Sequence, residues 1–108
     1  MLVGDLLRRA AQRHPAKTAL LMTDGSGSRS YTQLHERANR LANSLGALAT
    51  PGDRVAILSE NSLEFVEAYY GVPSAGMALT TLNFRLHPRE WVWILNNSGA
   101  RVLLVQPT

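Results

Sequence analysis

The rest of the chain is organised around the stretch TPGDRVAILSENSLEFVEAYYGVPSAG, residues 50–76. Pro51-Gly52-Asp53 predicts a tight turn, because proline fixes φ and glycine tolerates a positive φ. Residues 55–58 are an apolar run without polar alternation, which is typical of a strand covered on both faces. Residues 59–62 interrupt this run, and the spacing of Asn61 and Glu64 predicts a capping box at the start of a helix. Pro73 should kink or end that helix. A strand that leads into a helix in this way is half of a βαβ unit.

The following residues complete a parallel unit. Residues 77–82 predict a second strand, and residues 83–86 a loop. Pro88 suits the first position of a helix, whose buried side should consist of Trp91, Ile94 and Leu95. Gly99 suits the left-handed position after that helix, and residues 102–105 predict a third strand. Two successive crossovers of this kind should be right-handed and form a parallel sheet.

The first fifty residues predict a helix, a hairpin and a second helix. Residues 2–14 have amphipathic spacing, and Pro15 should end this first helix. Residues 18–23 and 29–31 predict two antiparallel strands around the turn at 24–28. Thr32 is the expected N-cap of the second helix. Its apolar stripe has helical spacing and comprises Leu34, Ala38, Leu41, Ala42, Leu45 and Leu48.

The fold class predicted from these patterns is α/β. Residues 1–31 form the helix and hairpin, residues 32–50 the amphipathic helix, and residues 51–108 the βαβαβ parallel-sheet unit. A chain of 108 residues with 45% hydrophobic content is enough for one core but too small for two domains.

Composition excludes several classes of protein. The chain has no cysteine, so it has neither disulfides nor thiolate metal sites. Its net charge of +3 is spread along the sequence and does not indicate a nucleic-acid partner. No apolar run reaches the length of a transmembrane segment, and the N-terminus lacks a signal-peptide pattern. We therefore expect a soluble protein of the cytoplasm.

Candidate chemical groups are sparse, and the structural interpretation of each is the stronger one. His14, His35 and His87 lack metal-ligand spacing. The turn at Gly25-Ser26-Gly27-Ser28 lacks the further residues of a phosphate loop. Tyr69 and Tyr70 fit core packing better than stacking on a ligand. Two sets of charges fit helix ends: Arg8, Arg9 and Arg13 at a C-terminus, and Glu60, Glu64 and Glu67 around an N-terminus. We assign no catalytic, cofactor-binding or metal-binding residue.

Six short motifs nevertheless resemble the opening of AMP-forming acyl-CoA synthetases, members of the adenylate-forming superfamily. Their order and spacing extend across nearly the whole chain. The motifs are Tyr31-Thr32-Gln33-Leu34, Ala38-Asn39-Arg40-Leu41-Ala42, Pro51-Gly52-Asp53-Arg54-Val55-Ala56, Asn61-Ser62-Leu63-Glu64-Phe65, Gly71-Val72-Pro73-Ser74-Ala75-Gly76 and Leu82-Asn83-Phe84-Arg85-Leu86. Pro73 departs from the small or helix-forming residue usual at its position.

The resemblance implies a part of an enzyme that activates a carboxylic acid, a fatty acid by expectation, with ATP. Such enzymes form an acyl-adenylate, release pyrophosphate and pass the acyl group to coenzyme A. The family's Pro-Lys-Gly phosphate loop and Tyr-Gly-x-Thr-Glu motif have no matching positions in these 108 residues. Neither do its ribose-binding aspartate and C-terminal catalytic lysine. The resemblance therefore implies an N-terminal fragment of the fold that is inactive alone and binds no cofactor itself, whereas the complete enzyme uses ATP, magnesium and coenzyme A.

Two alternatives remain at this point. One is a non-enzymatic module that binds a partner, including the rest of a split synthetase or a second copy at the exposed edge of strand 102–105. The other is a fragment of another adenylate-forming enzyme, such as a peptide-synthetase adenylation domain.

Overall fold

A computed structural model describes residues 3–22, 24–25, 27–59, 62–82 and 85–105, apart from the side chains of residues 3 and 4. The expected α/β architecture is confirmed. In chain order the elements are α1 (Val3–Arg13), β1 (Thr18–Leu21), β2 (Ser28–Ser30), α2 (Tyr31–Leu48), β3 (Arg54–Leu58), α3 (Leu63–Ser74), β4 (Ala78–Leu82), α4 (Pro88–Ser98) and β5 (Val102–Val105).

The second half of the chain forms the predicted parallel sheet. Its strand order is β4-β3-β5, with β3 in the centre. Ala56 pairs with Thr80 on one side and with Leu103 on the other, both in parallel register. The turn before β3 is also as predicted, since Asp53 N donates to Thr50 O at 3.0 Å and Gly52 has a φ of 91°. A positive φ at this third position is the mark of a type II turn.

Helices α2 and α3 cover one face of this sheet. Val55 and Ile57 of β3 lie in one buried cluster with Leu45 of α2 and Val72 of α3. Ala56, on the opposite face, is also fully buried, so the prediction that β3 is covered on both sides is confirmed. Leu48 was expected in the buried stripe of α2 but is exposed, because it is the last residue of the helix.

The hairpin is confirmed, but the cap of α2 is not the predicted one. Strands β1 and β2 pair antiparallel. Ser30, not Thr32, is the N-cap: its Oγ accepts from Gln33 N at 3.1 Å, and Gln33 Oε1 accepts from Ser30 N at 2.8 Å. Thr32 lies inside the first turn, where its backbone N–H donates to Pro15 O. The reciprocal bonds between Ser30 and Gln33 form a capping box, which satisfies two donors at once.

The ends of α3 agree with the predicted loop but not with the predicted capping residue. Ser62 is the N-cap, and its Oγ accepts from Phe65 N at 3.1 Å. Asn61 lies outside the described residues, and Glu64 does not occupy the third helical position that a capping box needs. Pro73 lies in the last turn, and the helix ends at Ser74 as expected.

Helix α4 has the predicted ends, but its apolar side is less buried than predicted. Pro88 is its first residue, and Gly99 follows its end with a left-handed φ of 68°. The side expected to be buried is only half-buried at Trp91, Ile94 and Leu95. Among the described elements α4 contacts β4 most extensively, and Val92 and Trp93 on α4 are exposed.

Candidate functional site

The sheet topology places a crevice at the carboxyl ends of β3 and β5. The chain leaves β3 through α3 to reach β4 on one side, and β5 lies on the other side. Open α/β sheets bind ligands outside the carboxyl ends of the strands at such a reversal of strand order. A cavity of about 570 Å³ lies at this point; we call it the β3–β5 groove. Its lining residues are Arg37, Arg40, Leu41, Ser44, Ile57, Ser59, Glu64, Glu67, Ala68, Leu104 and Val105.

A buried carboxylate organises one wall of the groove. The side chain of Glu67 is 8% exposed, and its Oε1 accepts from Arg37 Nε at 2.6 Å and from Arg29 Nε at 3.3 Å. These arginines come from α2 and β2, whereas Glu67 belongs to α3. The prediction that Glu67 serves the N-terminus of its helix is therefore wrong, because its carboxylate is committed to two guanidinium groups from distant elements. Glu64 is exposed in the first turn of α3, as expected, and Glu60 lies outside the described residues.

Charges of both signs line the groove. The hydrogen bond and the negative charge of Glu67 raise the pKa of Arg37 above its ordinary value, and the charge of Glu64 acts in the same direction. Arg37 and Arg40 thus share one lining with Glu64 and Glu67, and Arg29 brings a further positive charge against Glu67. A groove of this kind can form hydrogen bonds and ion pairs.

A pair of hydroxyls lies at the end of β3. Ser59 is buried directly after the strand, and its Oγ lies 3.3 Å from Ser62 Oγ. Ser62 in turn caps α3, so this pair joins the strand to the helix. Ser62 cannot serve as the base that would activate a serine nucleophile, and the observed role of the pair is to link β3 to α3.

The other candidates lie apart from one another. His87 is the N-cap of α4, and its Nδ1 accepts from Arg89 N at 3.1 Å. His35 Nε2 lies 3.3 Å from Asn39 Nδ2 on α2, whereas His14 follows α1. Tyr69 and Tyr70 pack edge-to-face with their ring centroids 5.5 Å apart. Tyr70 contacts the core cluster of Leu7, Leu34 and Ala38, which supports packing for this ring.

Two absences among the described residues bear on what the chain can bind. They contain no group of three or more histidine, cysteine, aspartate or glutamate side chains that could hold a metal ion. No helix in the described part of the chain combines the length and apolar character needed to cross a bilayer.

Comparisons with known proteins cover almost the whole chain. A family model described as AMP-binding enzyme matches residues 7–108. A long-chain-fatty-acid–CoA ligase of Thermus thermophilus is 41% identical over 106 residues, which is 95% of this chain and 20% of the ligase. The chain thus spans about a fifth of the length of this relative.

Solved structures agree with the sequence comparison. The N-terminal domain of FACL13 from Mycobacterium tuberculosis superposes with a TM-score of 0.91 at 35% identity, covering 97% of this chain and 27% of that one. The anthranilate CoA ligase AuaEII, in complex with anthranoyl-AMP, superposes with a TM-score of 0.90 at 31% identity, covering 97% and 20%.

Proposed function

The chain belongs to the AMP-binding enzyme family, and from this premise we propose that it forms the opening part of the AMP-binding domain of an acyl-CoA ligase. The observation that carries the proposal is the 41% identity to a fatty-acid–CoA ligase across 95% of the chain. The structural likeness to an N-terminal ligase domain supports it. The ligase would work in the cytoplasm.

The proposed reaction has two steps. The complete ligase would join the carboxylate of its acid to the α-phosphorus of ATP, with pyrophosphate as the leaving group. The thiol of coenzyme A would then attack the acyl carbon and release AMP. A long-chain fatty acid is the proposed substrate class, since the Thermus thermophilus relative carries that name. Magnesium would neutralise the phosphates in the complete ligase.

The described residues do not by themselves favour binding of ATP or magnesium. Of the two arginines that line the β3–β5 groove, Arg37 is paired with Glu67 and only the exposed Arg40 is left to meet a phosphate, and the described residues offer no metal-binding cluster. Stabilising the charge of a phosphoryl group needs cations that are not already neutralised. We therefore propose that these residues form a scaffold for the nucleotide crevice, with no cofactor bound by them alone.

The test compares the isolated chain with a chimera. Residues 1–108 replace the matching segment of the Thermus thermophilus ligase, and ATP–pyrophosphate exchange is measured with a long-chain fatty acid. We expect exchange by the chimera and none by the 108-residue chain. Exchange by the pure 108-residue chain would contradict the scaffold role. A folded chimera without exchange would contradict the proposed function.

A second candidate function is a non-enzymatic module that binds a partner. The exposed side chains of Leu103 and Val105 on β5 favour it. Light scattering distinguishes the two proposals, because a self-associating module would show a mass that rises with concentration. Constant monomeric mass leaves the ligase scaffold as the better account.

A further inference from the structure

Helix α4 begins with a histidine at its N-cap, a position that serine, threonine, aspartate and asparagine usually occupy. His87 Nδ1 accepts from Arg89 N at 3.1 Å, and the backbone at His87 is extended, with a φ of −66° and a ψ of 144°. Pro88, the first helical residue, has no backbone N–H, so Arg89 N is the first donor of the helix. His87 O accepts from the next donor, Glu90 N, at 2.8 Å. One residue therefore satisfies the first two backbone donors of α4, one with its ring and the other with its carbonyl group.

The ring nitrogen of this cap differs from a hydroxyl or carboxamide oxygen because it can bind a proton. In a protonated imidazole both nitrogens are donors, so Nδ1 of His87 could no longer accept from Arg89 N. The positive charge would also lie at the N-terminus of a helix, where the helix dipole favours negative charge. Histidine side chains ordinarily change their charge between about pH 5 and pH 8. The cap is therefore complete when the ring is neutral, and it is lost when mild acid protonates the ring.

Charges of both signs flank His87 in the sequence. Glu90 lies in the first turn of α4, and Arg85 and Arg89 lie on either side of the cap. These side chains and the ring itself are exposed. In the described part of the chain, His87 forms no ion pair that would hold the charge of its ring fixed. Solvent therefore reaches the ring and can protonate it.

The contacts of α4 place its first turn at the edge of the sheet where α/β proteins bind ligands. β4, the element that α4 contacts most extensively, leads into the helix from its carboxyl end. Arg54, at the start of β3, reaches the opposite end of α4, where its Nη1 donates to Ser98 O. The helix thus runs from the carboxyl edge of the sheet to the amino edge, and its first turn lies at the carboxyl edge. Neither β4 nor β5 contains a titratable side chain.

We propose that His87 is a pH-sensitive N-cap, which secures the first turn of α4 at neutral pH and releases it in mild acid. The bond from Arg54 to Ser98 O does not involve the ring and should hold the other end of the helix at either pH. The change is therefore local to the start of α4. The inference goes beyond the proposed function and does not depend on it, although in a complete ligase the same change would loosen one side of the nucleotide crevice.

The test measures the protection of backbone amides against hydrogen exchange in the isolated chain at about pH 7.5 and about pH 5.5. Protection is the exchange rate of an unstructured chain divided by the observed rate at the same pH, so the direct effect of pH on exchange is removed. We expect the protection of the Arg89 amide to fall about fivefold at the lower pH, the equivalent of one typical cap. Gln33 is the internal control, because its N–H donates to Ser30 Oγ, which does not titrate. Its protection should be the same at both pH values.

Three variants separate the ring of His87 from other causes. His87→Asn keeps a capping acceptor that does not titrate, so the protection of Arg89 should no longer depend on pH. His87→Ala lacks the acceptor and should show the lower protection at both pH values. His35→Asn is the matched control, because His35 lies within α2, beside Asn39, and caps no helix. This variant should keep the pH response of the wild type.

Nuclear magnetic resonance of the ring nitrogens identifies the histidine that is responsible. The neutral ring of His87 should carry its proton on Nε2, since Nδ1 accepts from Arg89 N. On acidification, the amide shift of Arg89 should follow the titration curve of the His87 ring and not those of His14 or His35.

Four results would overturn the inference. They are constant protection of Arg89 in the wild type, the same loss of protection in the wild type and in His87→Asn, an equal loss at Gln33, and a neutral His87 ring with its proton on Nδ1. None of these measurements involves ATP–pyrophosphate exchange, so the inference and the proposed function can fail separately.

Discussion

Glu67 shows how one residue connects three elements. Its carboxylate lies between Arg29 of β2 and Arg37 of α2 and is nearly buried. Two guanidinium groups without this carboxylate would repel each other close to the core. The free energy of unfolding should therefore depend strongly on its charge.

Glu67→Gln keeps the shape of the side chain but removes that charge. We expect a loss of about 2 kcal/mol, less than for a fully buried pair because the Arg37 side chain is 41% exposed. Urea denaturation measures the change. Glu64→Gln, on the exposed side of the same helix, is the control and should change the stability by less than about 0.5 kcal/mol. Equal effects of the two variants would refute the role of Glu67.

Asp53 makes the turn before β3 sensitive to pH. Its Oδ2 accepts from Thr50 N at 2.8 Å and from Thr50 Oγ at 3.2 Å. The backbone hydrogen bond from Thr50, foremost, holds the pKa of Asp53 below its ordinary value of 3.8. A lowered pKa in the folded state stabilises the protein above the unfolded-state pKa, and that contribution is lost as the pH falls through the folded-state pKa.

The test compares the wild-type chain with Asp53→Asn across pH. The wild type should be the more stable at pH 7, and the difference should shrink as the pH falls below about 4. Thermal unfolding of both proteins at each pH measures this difference in stability. The other carboxylates are the same in both proteins, so their titration cancels when the two stabilities are subtracted. A difference that stays constant down to pH 2 would show that the hydrogen bonds of Asp53 do not depend on its charge.

At the scale of elements, α2 and α3 approach each other at Gly71. A Cβ atom on Gly71 would lie 2.9 Å from Ala38 O and 3.0 Å from Leu41 Cδ2. The carbonyl belongs to the backbone of α2, so the contact can be relieved only by moving one helix. Small residues at this position allow the two helices to lie together on the sheet.

Gly71→Ala should therefore destabilise the chain by about 1–3 kcal/mol, even though alanine is the better helix former. Gly46→Ala on α2 is the matched control. Nothing lies within 4 Å of its added Cβ, and it should stabilise the chain by about 0.5–1 kcal/mol. Urea denaturation of both variants measures these changes in the free energy of unfolding. If both substitutions changed the free energy of unfolding in the same direction, the close approach of the two helices at Gly71 would be contradicted.

The start of α2 distinguishes the observed cap from the predicted one. Ser30→Ala removes an acceptor from the capping box and should cost about 1 kcal/mol. Thr32→Ala, at the residue predicted from sequence, should have a smaller effect because no cap bond depends on it. Thermal unfolding compares the two. A larger loss of stability for Thr32→Ala than for Ser30→Ala would favour Thr32 as the N-cap of α2.

In the molecule as a whole, large apolar side chains of α4 and β5 are exposed. Trp93 of α4 is 66% exposed, and the outer residues of β5 are exposed as well. We expect the isolated chain to bind a dye specific for apolar surface and to be less stable than most domains of its length. The chimera should bind less dye per molecule. A highly cooperative transition of the isolated chain without dye binding would contradict this expectation.

Local patterns were sufficient for most of the elements. The apolar run at 55–58 predicted β3, and Pro88 and Gly99 predicted the two ends of α4. These signals act within a few residues, so they can be read without knowing the fold. The capping residues were harder to predict from the sequence. Ser30 and Thr32 are both good capping residues, and bonds from 31 and 32 to the loop after α1 decided between them.

The amino-acid sequence alone was enough to predict the α/β class, the parallel βαβαβ unit and the resemblance to acyl-CoA synthetases. The folded structure was needed to find the pairing of Glu67 with two arginines, the close approach at Gly71 and the exposure of β5. The two sets of features differ in the range of the interactions behind them. Periodicity, turns and caps depend on neighbouring residues, whereas the two ion pairs of Glu67 join residues 30 and 38 positions apart. The exposure of a residue depends on which other elements of the fold pack against it.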